Sequence, residues 1–143
     1  WMEGIAGLDQ HVHVPVHPRT AAVGERVWGP DWPQVLAGWG FELLPPLGYA
    51  DLIATLQRVE AVITDSGGLQ KEAYGFQKPC IVARPVTEWT ELVEAGAVRL
   101  CGEPEGLAGA WQWAGQAVPP AVGLYGAGQA AQEVATTLSQ ARW

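Results

Sequence analysis

The sequence has 143 residues, of which 48% are hydrophobic and 16% charged, a composition typical of one folded domain rather than a disordered chain. Its net charge is −7 and its pI about 4.8, which argues against a nucleic-acid-binding surface, because such surfaces need clustered Lys and Arg. No run of about 18 apolar residues and no basic stretch followed by an apolar segment is present, so we expect neither a membrane span nor a secretion signal.

Elements of secondary structure follow one another closely from the first residue. A helix-like stretch begins at Trp1, which is not an initiator Met, and this suggests a piece of a larger protein. Pro45 and Pro46 mark the end of a strand, because proline cannot donate a backbone hydrogen bond. The patterns of the first part predict a strand at His11–Val16, a helix at Thr20–Val27, a loop at Gly29–Gln34, a strand at Phe41–Leu44 and a helix at Tyr49–Val59.

The second part of the chain continues the alternation of strands and helices. The predicted strands are Ala61–Thr64, Pro79–Ala83 and Val98–Cys101; the predicted helices are Gly67–Phe76, Glu88–Ala95, Glu105–Gln116 and Gln129–Ala141, with a Gly/Pro-rich linker at Pro119–Gly128. Strands separated by helices of about ten residues favour right-handed βαβ units and a parallel sheet. The sequence therefore predicts an α/β domain with a Rossmann-like parallel sheet and flanking helices.

Two cysteines, Cys80 and Cys101, each lie in or beside an apolar run. Two thiols in a chain of this length do not form a disulfide framework, and neither has the spacing of a metal site. We expect both to be buried core thiols of a reduced, cytoplasmic protein.

The segment after the third predicted strand carries the clearest chemical signal. Thr64 runs into Asp65, Ser66, Gly67 and Gly68, and a helix follows. Ser66 suits a helix N-cap, and the glycines leave backbone N–H groups open to a ligand. A helix N-terminus at the carboxyl end of a parallel strand is a favourable place for phosphate.

The same helix carries a carboxylate. Glu72 lies six residues beyond Ser66, or about 9 Å along a helix, where it could bind ribose hydroxyls while phosphate lies at the N-terminus. The alternative is that Ser-Gly-Gly is a tight turn with a helix cap and no ligand. The residue pattern alone leaves both interpretations open.

Residues 64–73, TDSGGLQKEA, are similar to the TDSGGxQ(E/K)EA signature of non-hydrolysing UDP-N-acetylglucosamine 2-epimerases. Five further segments resemble that family in the same order along the chain. They are PVHPRT at 15–20, PLGY at 46–49, KPC at 78–80, Arg84 with TEW at 87–89 and EAG at 94–96, and YGAGQA at 125–130.

The resemblance implies a two-domain fold like that of GT-B glycosyltransferases, of which residues 1–143 would be the UDP-binding carboxy-terminal domain. It implies that Ser66, Gly67 and Gly68 hold the diphosphate, that Glu72 binds the ribose, and that the backbone near Leu52 reads the uracil. The family reaction inverts C2 of the sugar by eliminating UDP and adding it again, without a cofactor. The catalytic carboxylates of the family lie in an amino-terminal domain that this chain does not contain, and an HRxEN segment with the domain's first strand is also absent.

Two positions depart from the family pattern. Many members carry an Arg that contacts the diphosphate where this chain has Trp89, and Pro85 replaces an Asp that commonly follows Arg84. The TEW variant occurs in a branch that includes epimerases of UDP-diacetamido-uronic acids. The resemblance therefore leaves open which UDP-sugar is the substrate.

Several side chains have two interpretations. His17 matches a family contact to an allosteric UDP-N-acetylglucosamine, or it is a structural histidine at a turn. Arg84 pairs with the diphosphate, or forms a buried ion pair with Glu88 or Glu72. His11 and His13 alternate on a strand, but with no third ligand apparent we expect no metal site. We expect most of the eight tryptophans to be packing residues.

The function hypotheses belong to different classes. The first is an epimerase whose full-length form is a cytoplasmic homodimer acting on a UDP-sugar. The second is a related nucleotide-sugar enzyme such as a GT-B glycosyltransferase, although no E-x7-E pattern surrounds Glu72. The third is a nucleotide-sugar-binding domain without catalysis.

Overall fold

The computed structural model describes residues 1–117 and 123–141 and has an α/β architecture. Its strands are β1 (Val12–Pro15), β2 (Phe41–Leu44), β3 (Val62–Thr64), β4 (Cys80–Val82) and β5 (Val98–Leu100). Its helices are α1 (Met2–Ala6), α2 (Pro18–Trp28), α3 (Trp32–Gly38), α4 (Tyr49–Arg58), α5 (Gly67–Gly75), α6 (Thr90–Glu94), α7 (Leu107–Ala114) and α8 (Ala130–Gln140). All five predicted strands are confirmed, and so is the predicted fold class.

The structure corrects two predicted boundaries. The expected loop at Gly29–Gln34 is partly helical, because Asp31 occupies the N-cap position and Pro33 lies in the first turn of α3, where proline is tolerated. Helix α6 begins at Thr90, so Glu88 precedes it. Of the predicted linker at Pro119–Gly128, residues 119–122 lie outside the described part of the chain, and the described residues 123–128 contain no helix or strand, as predicted.

The strands form two parallel sheets instead of the single sheet expected. β1 pairs with β2, with His13 opposite Glu42, and β3, β4 and β5 form the second sheet in that order. Within the described residues no ladder joins β1 to β3. Each of these strands therefore keeps one edge without a strand partner.

The β3–β4–β5 sheet is covered on both faces. Alternate side chains of a strand point to opposite faces, and accordingly Cys80 and Val82 pack in one cluster while Ile81 packs in the other. The first cluster includes residues of α4, α5 and α6, and the second includes residues of α1 and α7. This packing fixes the carboxyl ends of β3 and β4, where the candidate site lies.

Both cysteines are buried and free, as predicted.

Burial raises the pKa of the Cys80 thiol from 9.0 to about 12. Because the pKa is higher in the folded state, this contribution to stability is fully present below pH 9 and is lost as the pH rises towards 12. We expect the free energy of unfolding to fall by roughly 1 to 2 kcal/mol between about pH 9 and 10.5 through this group. Urea unfolding of the parent and of Cys80→Ala at several pH values checks this, and equal pH slopes for the two proteins would contradict it.

Two tyrosines hold the described part of the carboxy-terminal segment. The Tyr74 hydroxyl accepts hydrogen bonds from the N–H groups of Gly123 and Leu124 at 2.9 and 3.0 Å, and the Tyr125 hydroxyl donates to Glu91 at 2.8 Å. Helix α8 is solvent-exposed along its whole length.

In the described part of the chain, no helix is long and apolar enough to cross a membrane.

Candidate functional site

The turn between β3 and α5 presents the predicted Ser-Gly-Gly segment at the carboxyl edge of the sheet. Ser66 occupies the N-cap position with extended backbone, but its side chain makes no capping hydrogen bond. The Ser66 N–H donates to Thr64 Oγ1 at 3.0 Å. The prediction that Ser66 caps the helix is therefore correct for its position and wrong for its hydroxyl, which is exposed and remains available to a ligand.

The start of α5 offers backbone donors. The first N–H groups of a helix have no intrahelical partner, and at α5 these belong to Gly67, Gly68 and Leu69. A Cβ atom placed on Gly68 would meet only Ser66 Oγ, at 4.0 Å, whereas one on Gly67 would lie 3.4 Å from Trp89 Nε1. Gly68 therefore faces open space, and Gly67 is packed against Trp89.

Residues 84–89 hold the first turn of α5 in place. Trp89 Nε1 donates to the Gly67 carbonyl at 2.9 Å, and Trp89 N–H donates to Thr87 Oγ1 at 3.2 Å. The Thr87 hydroxyl donates to Gln70 Oε1 at 2.6 Å, and Gln70 is fully buried. Gln70 Nε2 in turn donates to the Ser66 carbonyl at 3.4 Å. Trp89, which departs from the family pattern, thus supports the backbone of the candidate site.

Arg84 lies beside this turn and forms an ion pair. Its guanidinium donates to the Asp65 carbonyl at 3.4 Å and to both Glu88 carboxylate oxygens, the shorter distance being 3.0 Å. The predicted pairing with Glu88 is confirmed, but the pair is partly exposed rather than buried. Backbone hydrogen bonding, together with Arg84, lowers the pKa of Glu88.

Glu72 lies further along α5 and contacts helix α4. The Tyr49 hydroxyl, which is exposed, donates to Glu72 Oε1 at 3.1 Å. This hydrogen bond raises the pKa of Tyr49. Tyr49 is a site residue that the residue pattern alone did not identify, although it lies in the PLGY segment.

Leu52 lies in α4, the helix whose first residue Tyr49 contacts Glu72, but its own groups are engaged. Its N–H donates to the Gly48 carbonyl at 2.9 Å, and its side chain packs against the core cluster that contains Ala73. The N–H groups without an intrahelical partner in α4 belong to Tyr49, Ala50 and Asp51. A role for the backbone near Leu52 in base recognition stays a prediction, with these three as its nearest donors.

Lys71 adds a second cation near the turn. Its Nζ atom lies 3.3 Å from the centre of the Trp89 ring and 4.5 Å from that of Tyr125. Both distances suit cation–π attraction. The sequence reasoning missed Lys71 because Tyr125 is far along the chain, and nothing local signals the contact.

His17 makes a local contact at the start of another helix. His17 is the N-cap of α2, and its Nδ1 accepts a hydrogen bond from the Arg19 N–H at 3.3 Å. No hydrogen bond in the described part of the chain links it to the β3–α5 turn. The structural interpretation is thus observed, and the allosteric contact stays a prediction.

The arrangement is suited to binding an anion on an open surface. Helix N–H groups and the Ser66 hydroxyl lie together, with Arg84 and Lys71 beside them. Two shallow depressions occur elsewhere, one along α8 and the other between α3 and β2. The β3–α5 turn lines neither of these depressions.

Comparisons with known proteins point to one family. A family model described as UDP-N-acetylglucosamine 2-epimerase matches residues 2–139. The chain is 40% identical over 133 residues to UDP-2,3-diacetamido-2,3-dideoxy-D-glucuronate 2-epimerase of Pseudomonas aeruginosa, which covers 90% of this chain and 35% of that protein. It is also 47% identical over 60 residues to a UDP-N-acetylglucosamine 2-epimerase of Campylobacter jejuni, or 42% of this chain and 16% of that protein.

Solved structures give the same result. The UDP-GlcNAc 2-epimerase of Methanocaldococcus jannaschii superposes with a TM-score of 0.86 and 27% identity, over 98% of this chain and 40% of that one. Its complex with UDP-GlcNAc and UDP superposes with a TM-score of 0.83 and 27% identity, over 97% and 38% of the two chains. The chain therefore spans well under half the length of the proteins it matches.

Proposed function

Since the chain belongs to the UDP-N-acetylglucosamine 2-epimerase family, we propose that it is the UDP-binding portion of a UDP-sugar 2-epimerase. The observation that carries the proposal is the start of α5, where helix N–H groups without an intrahelical partner lie with the exposed Ser66, next to Arg84 and to the Trp89 ring that Lys71 contacts. The solved relative with UDP-GlcNAc and UDP supports it, because that structure superposes on nearly the whole of this chain.

The geometry suggests how this portion contributes to the reaction. C2 inversion by elimination and re-addition of UDP requires the diphosphate to leave and return without diffusing away. Fixed N–H dipoles at a helix start stabilise the negative charge that develops on the leaving diphosphate and need not reorganise during the step. Glu72 lies further up the same helix, and we propose that it binds the ribose hydroxyls in place of its bond to Tyr49.

We further propose that the proton transfers at C2 are carried out by residues outside these 143. The proteins it matches are much longer, since the chain corresponds to 35% of the Pseudomonas relative. The same reasoning applies to the sheet: a parallel strand placed between β1 and β3 would pair with both open edges. The resulting order would be that of a doubly wound sheet. A cytoplasmic homodimer stays a prediction for the full-length protein, and the free buried thiols are compatible with a reducing compartment.

Calorimetric titration of the chain with UDP tests the proposal. We expect saturable binding that Ser66→Ala and Glu72→Gln each weaken by about tenfold, the effect of losing one hydrogen bond donated to a charged phosphate or to a carboxylate. Ser139→Ala and Glu25→Gln are matched controls on α8 and α2 and should bind UDP like the parent. Absence of binding by the folded parent, or equal losses in the controls, would contradict the assignment.

A second candidate substrate is a UDP-diacetamido-uronic acid. It is favoured by the match over 90% of the chain to the Pseudomonas enzyme and by Trp89 in the TEW segment. Titration with UDP-N-acetylglucosamine and with the diacetamido-uronate derivative, each compared with UDP, shows which sugar adds affinity. Tighter binding of the uronate derivative would favour the second candidate, and tighter binding of UDP-N-acetylglucosamine the first.

A further inference from the structure

The exposed face of the β1–β2 sheet brings two histidines and a glutamate together. His13 and Glu42 are opposite each other in the parallel register, and His11 lies two residues before His13 on the same face of the strand. The expectation that the two histidines lack a third ligand was wrong, because Glu42 is contributed by the neighbouring strand. The β1–β2 register depends on the intervening crossover, so spacing along the chain could not reveal it.

The distances are those of a compact ligand set. Glu42 Oε2 lies 3.0 Å from His11 Nε2 and 3.3 Å from His13 Nδ1. One ligand atom from each residue lies within 4.8 Å of the other two. In a tetrahedral zinc site, with bonds of about 2.0 to 2.1 Å, neighbouring ligand atoms are about 3.3 Å apart. Small rotations of exposed side chains would therefore accommodate an ion.

We propose that His11, His13 and Glu42 form a binding site for a divalent transition-metal ion such as Zn²⁺. Two imidazoles and one carboxylate are a ligand set that zinc accepts, and three protein ligands leave a tetrahedral position for water. Imidazole does not suit Mg²⁺ or Ca²⁺, which prefer oxygen ligands. The side chains are 67%, 34% and 49% exposed, so an ion can reach the site without opening the fold. The net charge of −7 also attracts cations.

The competing explanation is an ion pair without metal, in which Glu42 Oε2 pairs with both His11 and His13. The two explanations differ in whether the imidazole nitrogens bind an added ion. The chain has three histidines, and the third, His17, already uses Nδ1 to accept the Arg19 N–H at the start of α2. His17 therefore provides an internal reference within the same molecule.

Titration with Zn²⁺ by calorimetry, with Mg²⁺ in parallel, tests the proposal. We expect one equivalent of Zn²⁺ to bind saturably and Mg²⁺ not to bind. His13→Asn and Glu42→Gln should each weaken Zn²⁺ binding at least tenfold, as a rough lower bound for loss of a metal ligand. His17→Asn, which keeps a residue suited to the N-cap, should leave it unchanged. Circular dichroism of each variant verifies that the fold is intact.

Paramagnetic Co²⁺ gives a second readout by NMR. The imidazole signals of His11 and His13 should show the large shifts and broadening of direct Co²⁺ ligands, and those of His17 should change much less. Failure of Zn²⁺ to bind, equal binding of Mg²⁺, or binding that survives both ligand substitutions would overturn the proposal.

Discussion

Replacing Gly68 by Asp is expected to weaken UDP binding by about 100-fold or more without destabilising the chain. Gly68 lies in the first turn of α5, where an added Cβ meets only Ser66 Oγ at 4.0 Å. A carboxylate in the first turn of a helix interacts favourably with the helix dipole, and replacing a helical glycine removes a cost of roughly 0.5 to 1 kcal/mol. The fold should therefore gain stability from the same charge that repels a diphosphate.

The size of the effect follows from electrostatics. Two like charges about 4 Å apart repel by about 4 kcal/mol at an effective dielectric constant of about 20, and a 100-fold loss needs only about 2.7 kcal/mol. Gly68→Asn is the matched control, because it has the same shape without the charge. We expect it to lose much less affinity than the aspartate variant.

Calorimetry with UDP and thermal unfolding of both variants check this prediction. The expected pattern is an unchanged or higher melting temperature in both proteins, with severe loss of binding confined to Gly68→Asp. Equal losses in the two variants would indicate steric blockage instead of charge. Normal binding by Gly68→Asp would exclude the start of α5 as the diphosphate site.

Gln70→Leu is expected to lower the free energy of unfolding by about 2 to 3 kcal/mol. Gln70 is fully buried and accepts the Thr87 hydroxyl at 2.6 Å while donating to the Ser66 carbonyl. Leucine removes both bonds and leaves the Thr87 hydroxyl without its acceptor. The substitution should also disturb the candidate site. Thr87 accepts the Trp89 N–H, and Trp89 in turn donates to the Gly67 carbonyl.

A double-mutant cycle separates this hydrogen bond from general packing. Thr87→Val removes the other partner, and an unfolding measurement of Gln70→Leu, Thr87→Val and the double variant completes the cycle. We expect the double variant to lose clearly less than the sum of the single losses, because no polar group is then left unsatisfied between the two positions. Strict additivity would show that the hydrogen bond contributes little.

The parts of the fold that were predictable are those set by local pattern. The apolar run before Thr64 and the Ser-Gly-Gly that follows it predict a strand, a turn and a helix start, and the structure has all three there. Helical spacing likewise located α4 and α8 within one or two residues. These elements are predictable because their hydrophobic period and their end signals agree.

What the sequence could not predict depends on contacts between distant residues. Gln70 appeared as one polar position in a helix, yet it is buried because Thr87, on the segment after β4, supplies its partner. Glu42 became a possible ligand only through the register of β1 with β2. The N-cap position of Ser66 was predictable from the local pattern, whereas the absence of a capping hydrogen bond from its hydroxyl was not.

The position of Lys71 between Trp89 and Tyr125 has a thermodynamic consequence. Trp89 supports the start of α5, whereas Tyr125 belongs to the segment that leads into α8 and also bonds Glu91. A bound anion that draws the Lys71 ammonium away from these rings weakens the hold on the α8 segment. If an anion binds Lys71 more tightly away from these rings, linkage requires that displacement of Tyr125 and anion binding favour each other by the same factor. Anion binding and the position of α8 are then thermodynamically coupled.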